Sequence, residues 1–148
     1  MTIIEVKYND GGRKDAGYKG NARDCGVRAI AIAAQMPYQE VYDLVNWYGN
    51  NWERKSKRKS GKSNARKGIY GKTFKKIMRD LGWSWQPTMQ IGSGCKVHLR
   101  PDELPKGRII CRLSRHFVAV IDGVIQDTYN PTRGGTRCVY GYWYKEDK

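Results

Sequence analysis

The dipeptide Asp122-Gly123 lies between two β-branched runs, Phe117 to Ile121 and Val124 to Thr128. A two-residue loop of this composition favours a hairpin turn with positive φ at both central positions, which matches the twist of the flanking strands. The turn sets a register as well as a hairpin. With Asp122 and Gly123 as the loop, Ile121 faces Val124, Val118 faces Asp127 and His116 faces Tyr129. Side chains alternate between faces, so His116 and Asp127 are diagonal neighbours on one face, with Cβ atoms within ~7 Å. Asn130 points to the other face in this register, and a loop longer by a single residue reverses the choice. Two further strands are expected around the hairpin, Arg108 to Leu113 and Cys138 to Tyr144.

The first half reads differently. A short strand, Ile3–Val6, is followed by a loop rich in Gly, Asp and Lys. Cys25 then heads an Ala-rich stretch reaching Gln35, with Ile30 and Ala33 at helical spacing and Asp24 at the position of an N-cap. Pro37 opens a second helix, Tyr38 to Tyr48, whose Val41, Leu44, Val45 and Tyr48 form one stripe. A third helix is expected from Thr73 to Leu81, closed by Gly82, and a short strand at Trp83-Ser-Trp85. Helices precede a sheet, which is the order of an α+β chain. The 148 residues match one domain, 1–148, with an N-terminal helical part carrying Cys25 packed on a C-terminal antiparallel sheet carrying His116.

Charge bounds the partners. Lys and Arg total 28 against 14 Asp and Glu, a formal net charge of +14. A field of that sign favours nucleic acid or another acidic partner and says nothing about fold. Much of it falls in residues 50–68, read as a mobile basic loop. Lys55, Lys57, Arg58 and Lys59 are the candidate contacts within residues 54–67, and Trp47, Trp52 and Trp85 are nearby in sequence to stack on bases. Arg112 and Arg115, just before the His116 strand, bias a cleft there toward acidic substrates. The opening residues lack a signal-peptide pattern, and no apolar run approaches the ~18 residues of a membrane span, so no membrane partner is expected. The four cysteines form no CxxC pair, and the expectation is a cytoplasmic protein with free thiols. Cys95, His98, Cys111 and Cys138 fall short of a zinc motif, so no metal or other cofactor is expected.

Two residue types carry the candidate chemistry. A thiol reacts as its thiolate, which a helix N-terminus and a neighbouring imidazolium both favour. Cys25 has the first of these. His116 opens a strand and so has a rigid mount, whereas His98 has none, which makes His116 the expected base. Asp127 is its expected orienting acceptor, with Asn130 the alternative. Backbone N–H groups at the helix start suit an oxyanion.

A Cys at the head of an Ala-rich helix, followed by a His and an Asp or Asn on later strands, resembles the papain-like cysteine peptidases. Asp24-Cys25-Gly26 resembles the nucleophile motif of the leader-peptide peptidases of bacteriocin exporters, and NARDCGVRAIAIA and SRHFVAVIDGVIQDTYNP resemble small papain-like proteins of bacteriophages and bacteria. The resemblance covers roughly the first fifty and last forty-five residues. It implies a papain-like fold, a cysteine hydrolase, foremost a peptidase acting on a protein or peptide, and, for a phage protein, a place in host cytoplasm or virion. Such enzymes carry an oxyanion-hole Gln six residues before the Cys; here that position is Lys19, and Asn21 is the nearby amide donor. The same residues suit an acyltransferase or deamidase. A catalytically inactive basic protein that binds nucleic acid is the reading from a different class.

Overall fold

A computed structural model describes residues 3–53, 61–90 and 92–146. Three α-helices lie against a six-stranded sheet among these residues: β1 (Val6–Tyr8), α1 (Cys25–Ala34), α2 (Tyr38–Trp47), α3 (Gly71–Asp80), β2 (Ser84–Pro87), β3 (Arg108–Leu113), β4 (His116–Ile121), β5 (Val124–Asp127) and β6 (Gly141–Tyr144). The spatial order is β1-β5-β4-β3-β6-β2. The chain is α+β, as the order of elements implied. The sheet is mixed rather than purely antiparallel, because β1 runs parallel to β5. Parallel pairing needs a long connection, and here the three helices together with β2, β3 and β4 lie between the two strands.

The Asp122-Gly123 turn forms as the sequence implies. Both residues have positive φ, 48° and 81°, and Ile121 pairs with Val124. The preceding turn is equally short: Leu113 pairs with His116, leaving Ser114 and Arg115 as the loop. Alternation along β3 and β4 then divides their apolar residues between two faces. Ile110 and Ala119 join Val27, Ile30, Val41, Val45, Phe74 and Trp143 under the helices. Ile109, Cys111, Leu113, Val118 and Val120 pack with Leu99 and Val139 on the other face. Phe74 of α3 stacks on Phe117, with ring centroids 3.9 Å apart, and so presses on the residue next to His116.

Several expectations are corrected. The first strand forms at Val6–Tyr8, not Ile3–Val6, because its partner β5 sets the position, with Tyr8 beside Asp127. Residues 138–140 lie outside β6; Cys138 instead bridges His98, and Val139 N–H bonds the Val97 carbonyl. The basic segment 50–68 is not simply a loop. Tyr48–Trp52 is a π-helical turn, Ala65 and Ser63 are buried, and Glu53 accepts the Ser63 N–H at 2.8 Å. Residues 54–60, with Lys55, Lys57, Arg58 and Lys59, lie outside the described residues. Trp85 packs tilted against Trp143, with ring centroids 4.4 Å apart, while Trp47 and Trp52 remain exposed.

The thiols also depart from expectation. Cys95 and Cys138 form a disulfide, with Cα atoms 5.7 Å apart, leaving Cys25 and Cys111 free. The His98–Cys138 bridge brings the two segments together, a pairing that sequence spacing alone does not reveal. No helix among the described residues is long and apolar enough to cross a membrane.

Candidate active site

Cys25 is the first residue of α1, and α1 lies along β4 and β3. The residue after it is constrained by packing. A Cβ on Gly26 would sit 2.7 Å from Ile69 Cδ1 and 3.2 Å from the Phe74 ring, so glycine lets Ile69 and α3 close over the helix start. From the sheet, the Ser114-Arg115 turn sets His116 at the head of β4, and the next turn brings Asp127 back beside it. His116 Nε2 and Asp127 Oδ2 are 2.7 Å apart, both residues buried. That contact leaves Nδ1 as the ring nitrogen available to the Cys25 thiol, whose pKa the imidazole lowers. The Tyr129 ring stands 5.4 Å from the imidazole centroid to centroid, at the position the hairpin register places it.

Beneath this row lies a second one that sequence reading missed. Arg28, one turn along α1, donates Nη1–H to Asp127 Oδ1 at 3.0 Å and Nε–H to Asp24 Oδ1 at 3.0 Å. Its Nη1 also reaches Thr128 Oγ1 at 3.1 Å. Asp24 Oδ2 accepts the Tyr38 hydroxyl at 2.6 Å and lies 3.2 Å from Arg13 Nε. So Asp24, placed as an N-cap by its position, makes no side-chain capping bond. Two arginines and a tyrosine claim its carboxylate, because a buried charge needs partners more than a helix end does. The only sequence trace of Arg28's role is its i,i+4 spacing from Asp24.

The electrostatics follow from this chain of contacts. Burial pushes the Cys25 thiol up, but the hydrogen bond and positive charge of His116, the Phe117 N–H and the Arg28 charge together bring it below an ordinary thiol. Burial lowers His116, and the bonds and charges of Asp127 and Cys25 carry it above an ordinary histidine. Burial raises Asp127, yet His116, the Thr128 N–H and Arg28 hold it below an ordinary carboxylate. All three shifts run in the direction that favours thiolate, imidazolium and carboxylate over the neutral forms. Cys111 behaves in the opposite way: burial without a charged partner pushes its thiol far up.

Cys25 and His116 open onto a groove of about 310 Å³, whose walls include Arg23, Lys67, Ile69, Arg112 and Arg115. Asn21 is exposed, gives its backbone carbonyl to Arg66 Nη2 at 3.2 Å and does not line this groove. Asn130 accepts from Thr132 N–H at 3.0 Å and from its hydroxyl at 2.6 Å, a local turn apart from His116. Among the described residues no group of three or more His, Cys, Asp or Glu side chains is disposed to hold a metal ion. His98 pairs with Glu103 at 3.2 Å.

Comparisons with protein-family models, with curated proteins and with solved structures give no match to this chain.

Proposed function

We propose that this chain is a cysteine hydrolase, foremost a peptidase, of papain-like organisation. The observation that carries the reading is the row Cys25–His116–Asp127 opening onto a groove, with the thiol lowered and the imidazole raised. A structural cysteine has no use for such a row, and Cys111 illustrates the inert alternative. The order of residues, Cys on the first helix and then His and Asp on adjacent strands, supports the papain-like assignment.

The chemistry follows in steps. The Cys25 thiolate attacks an amide carbonyl carbon, and the carbonyl π electrons move onto oxygen. The first N–H groups of α1 have no intrahelical acceptor and no side-chain cap from Asp24, so they are free to receive that oxyanion. The imidazolium of His116 then gives its proton to the leaving nitrogen, and the C–N bond breaks. His116, neutral again, deprotonates a water that attacks the thioester, and Cys25 leaves as thiolate. Asp127 keeps Nε2–H engaged, so that Nδ1 faces the sulfur throughout, and Arg28 holds Asp127 from behind. An amine in place of water in the last step makes the same residues an acyltransferase.

The test is the rate of Cys25 alkylation by iodoacetamide from about pH 4 to pH 9, read against the ~8.5 of a free thiol. A plateau extending well below neutrality, lost in His116→Ala, is the expected result. An ordinary thiol profile unchanged by that substitution sinks the reading.

A further inference from the structure

The groove over Cys25 is walled by cations from four separate segments. Arg23 precedes α1, Lys67 lies in the turn before α3, Arg112 is on β3 and Arg115 occupies the β3–β4 turn. Among the described residues no carboxylate lines the groove. Among the described residues none of the four makes an ion pair, in contrast to Arg13, Arg28 and Arg100, each of which sits on Asp or Glu. Arg112 is half-buried. Its guanidinium occupies the space a side chain at Gly71 would take, with Nη2 2.7 Å from that Cβ position. With no side chain at Gly71 the guanidinium lies there undisplaced. Four like charges around one small opening repel one another, and an anionic occupant relieves that repulsion.

Resting on the hydrolase reading above, we infer that the substrate is an acidic peptide segment, with Asp or Glu side chains flanking the amide that Cys25 attacks. The thiolate chemistry requires an acyl carbon next to the anionic groups, which a peptide supplies and a nucleic-acid backbone does not. The groove's volume of about 310 Å³ admits a few side chains. Arg112 lies on β3 and Arg115 next to His116, while Arg23 and Lys67 come from the segments before α1 and α3, so an acidic segment in the groove has cations from four parts of the chain to pair with.

The experiment compares alkylation of Cys25 by iodoacetate, an anion, with alkylation by neutral iodoacetamide, the labelled residue being assigned by peptide mapping. The expected result is a rate ratio about fivefold or more above that of a free thiol at low ionic strength, falling as salt rises. Arg112→Gln and the exposed-site variant Arg115→Gln each lower the ratio, with folding checked by circular dichroism. A Glu-rich peptide protects Cys25, and its Gln-for-Glu counterpart does not. A ratio equal to that of a free thiol overturns the inference, even when the iodoacetamide profile shows a thiolate and the hydrolase reading stands. Protection by a single-stranded oligonucleotide but not by the Glu-rich peptide also overturns it, in favour of nucleic acid. An ordinary thiol profile with iodoacetamide removes the hydrolase reading and this one with it.

Discussion

At its C-terminal end α1 borders a groove of about 710 Å³, with Met36, Trp83, Tyr142 and Tyr144 in its walls; at its N-terminal end it borders the groove of about 310 Å³ that exposes Cys25. Among the described residues no cysteine or histidine lines the larger one. The ends of a helix carry opposite partial charges, and each is used here according to its sign. At the C-terminus Arg108 donates to the Ala33 carbonyl at 3.0 Å and to the Ile32 carbonyl at 2.7 Å. Cation and carbonyls satisfy each other, and Gln35 with φ of 56° closes the helix. At the N-terminus the positive end meets a thiol that benefits from ionising. Arg108 has its acceptors already; Arg112 and Arg115 have none among the described residues. The difference teaches that a groove is identified by unspent chemistry in its walls rather than by its volume.

Substitutions at the two ends test that contrast. On the hydrolase proposal, Cys25→Ala is expected to abolish turnover of any peptide found to be cleaved, a loss of about four orders of magnitude or more in kcat. A variant that still turns over substrate places the nucleophile elsewhere. Next comes His116→Ala, for which the alkylation profile should move up toward the ~8.5 of an ordinary thiol. Arg28→Met leaves Asp24 and Asp127 buried without their shared cation and should cost about 3 kcal/mol in urea unfolding, together with a less reactive Cys25. Retained stability would mean that Arg13 and His116 suffice to hold the two carboxylates.

Smaller effects concern acid stability and the far end of the helix. Asp127 is held below its unfolded value, so its contribution to stability is present above that value, ~3.9, and is lost as pH falls through the lower folded one. Asp127→Asn should flatten the fall in unfolding free energy below about pH 5, and an unchanged slope would assign acid sensitivity to other carboxylates. Arg108→Met should cost about 1 kcal/mol and leave the Cys25 alkylation rate as it was. A changed rate would mean that the two ends of α1 communicate.

What was legible in the sequence was local. The Asp122-Gly123 turn dictates its own register, and that register alone puts Asp127 beside His116. The Ala-rich run after Cys25 reads as a helix because 3.6-residue spacing is a short-range signal. What stayed hidden depends on segments far apart in the chain. β1 takes its position from β5, and Arg28 acquires its purpose only when Asp127 arrives from 99 residues away. The disulfide needs Cys138 beside His98, and the buried Ser63 and Ala65 need Glu53 and Asn46 as hydrogen-bond acceptors. Asp24 was legible as a position and not as a role, since sequence offered the helix cap and the fold supplied stronger partners.

The Cys95–Cys138 bond encloses His116 and Asp127 within its loop and leaves Cys25 outside. Any peptide-bond scission between residues 95 and 138 therefore leaves both fragments on one covalent molecule, heavier by a single water. Such a nick escapes a non-reducing gel and appears only once thiol is added. The same reductant that keeps the Cys25 sulfur from oxidising also opens this tether, so a preparation stored in reductant is a looser molecule than one stored without it.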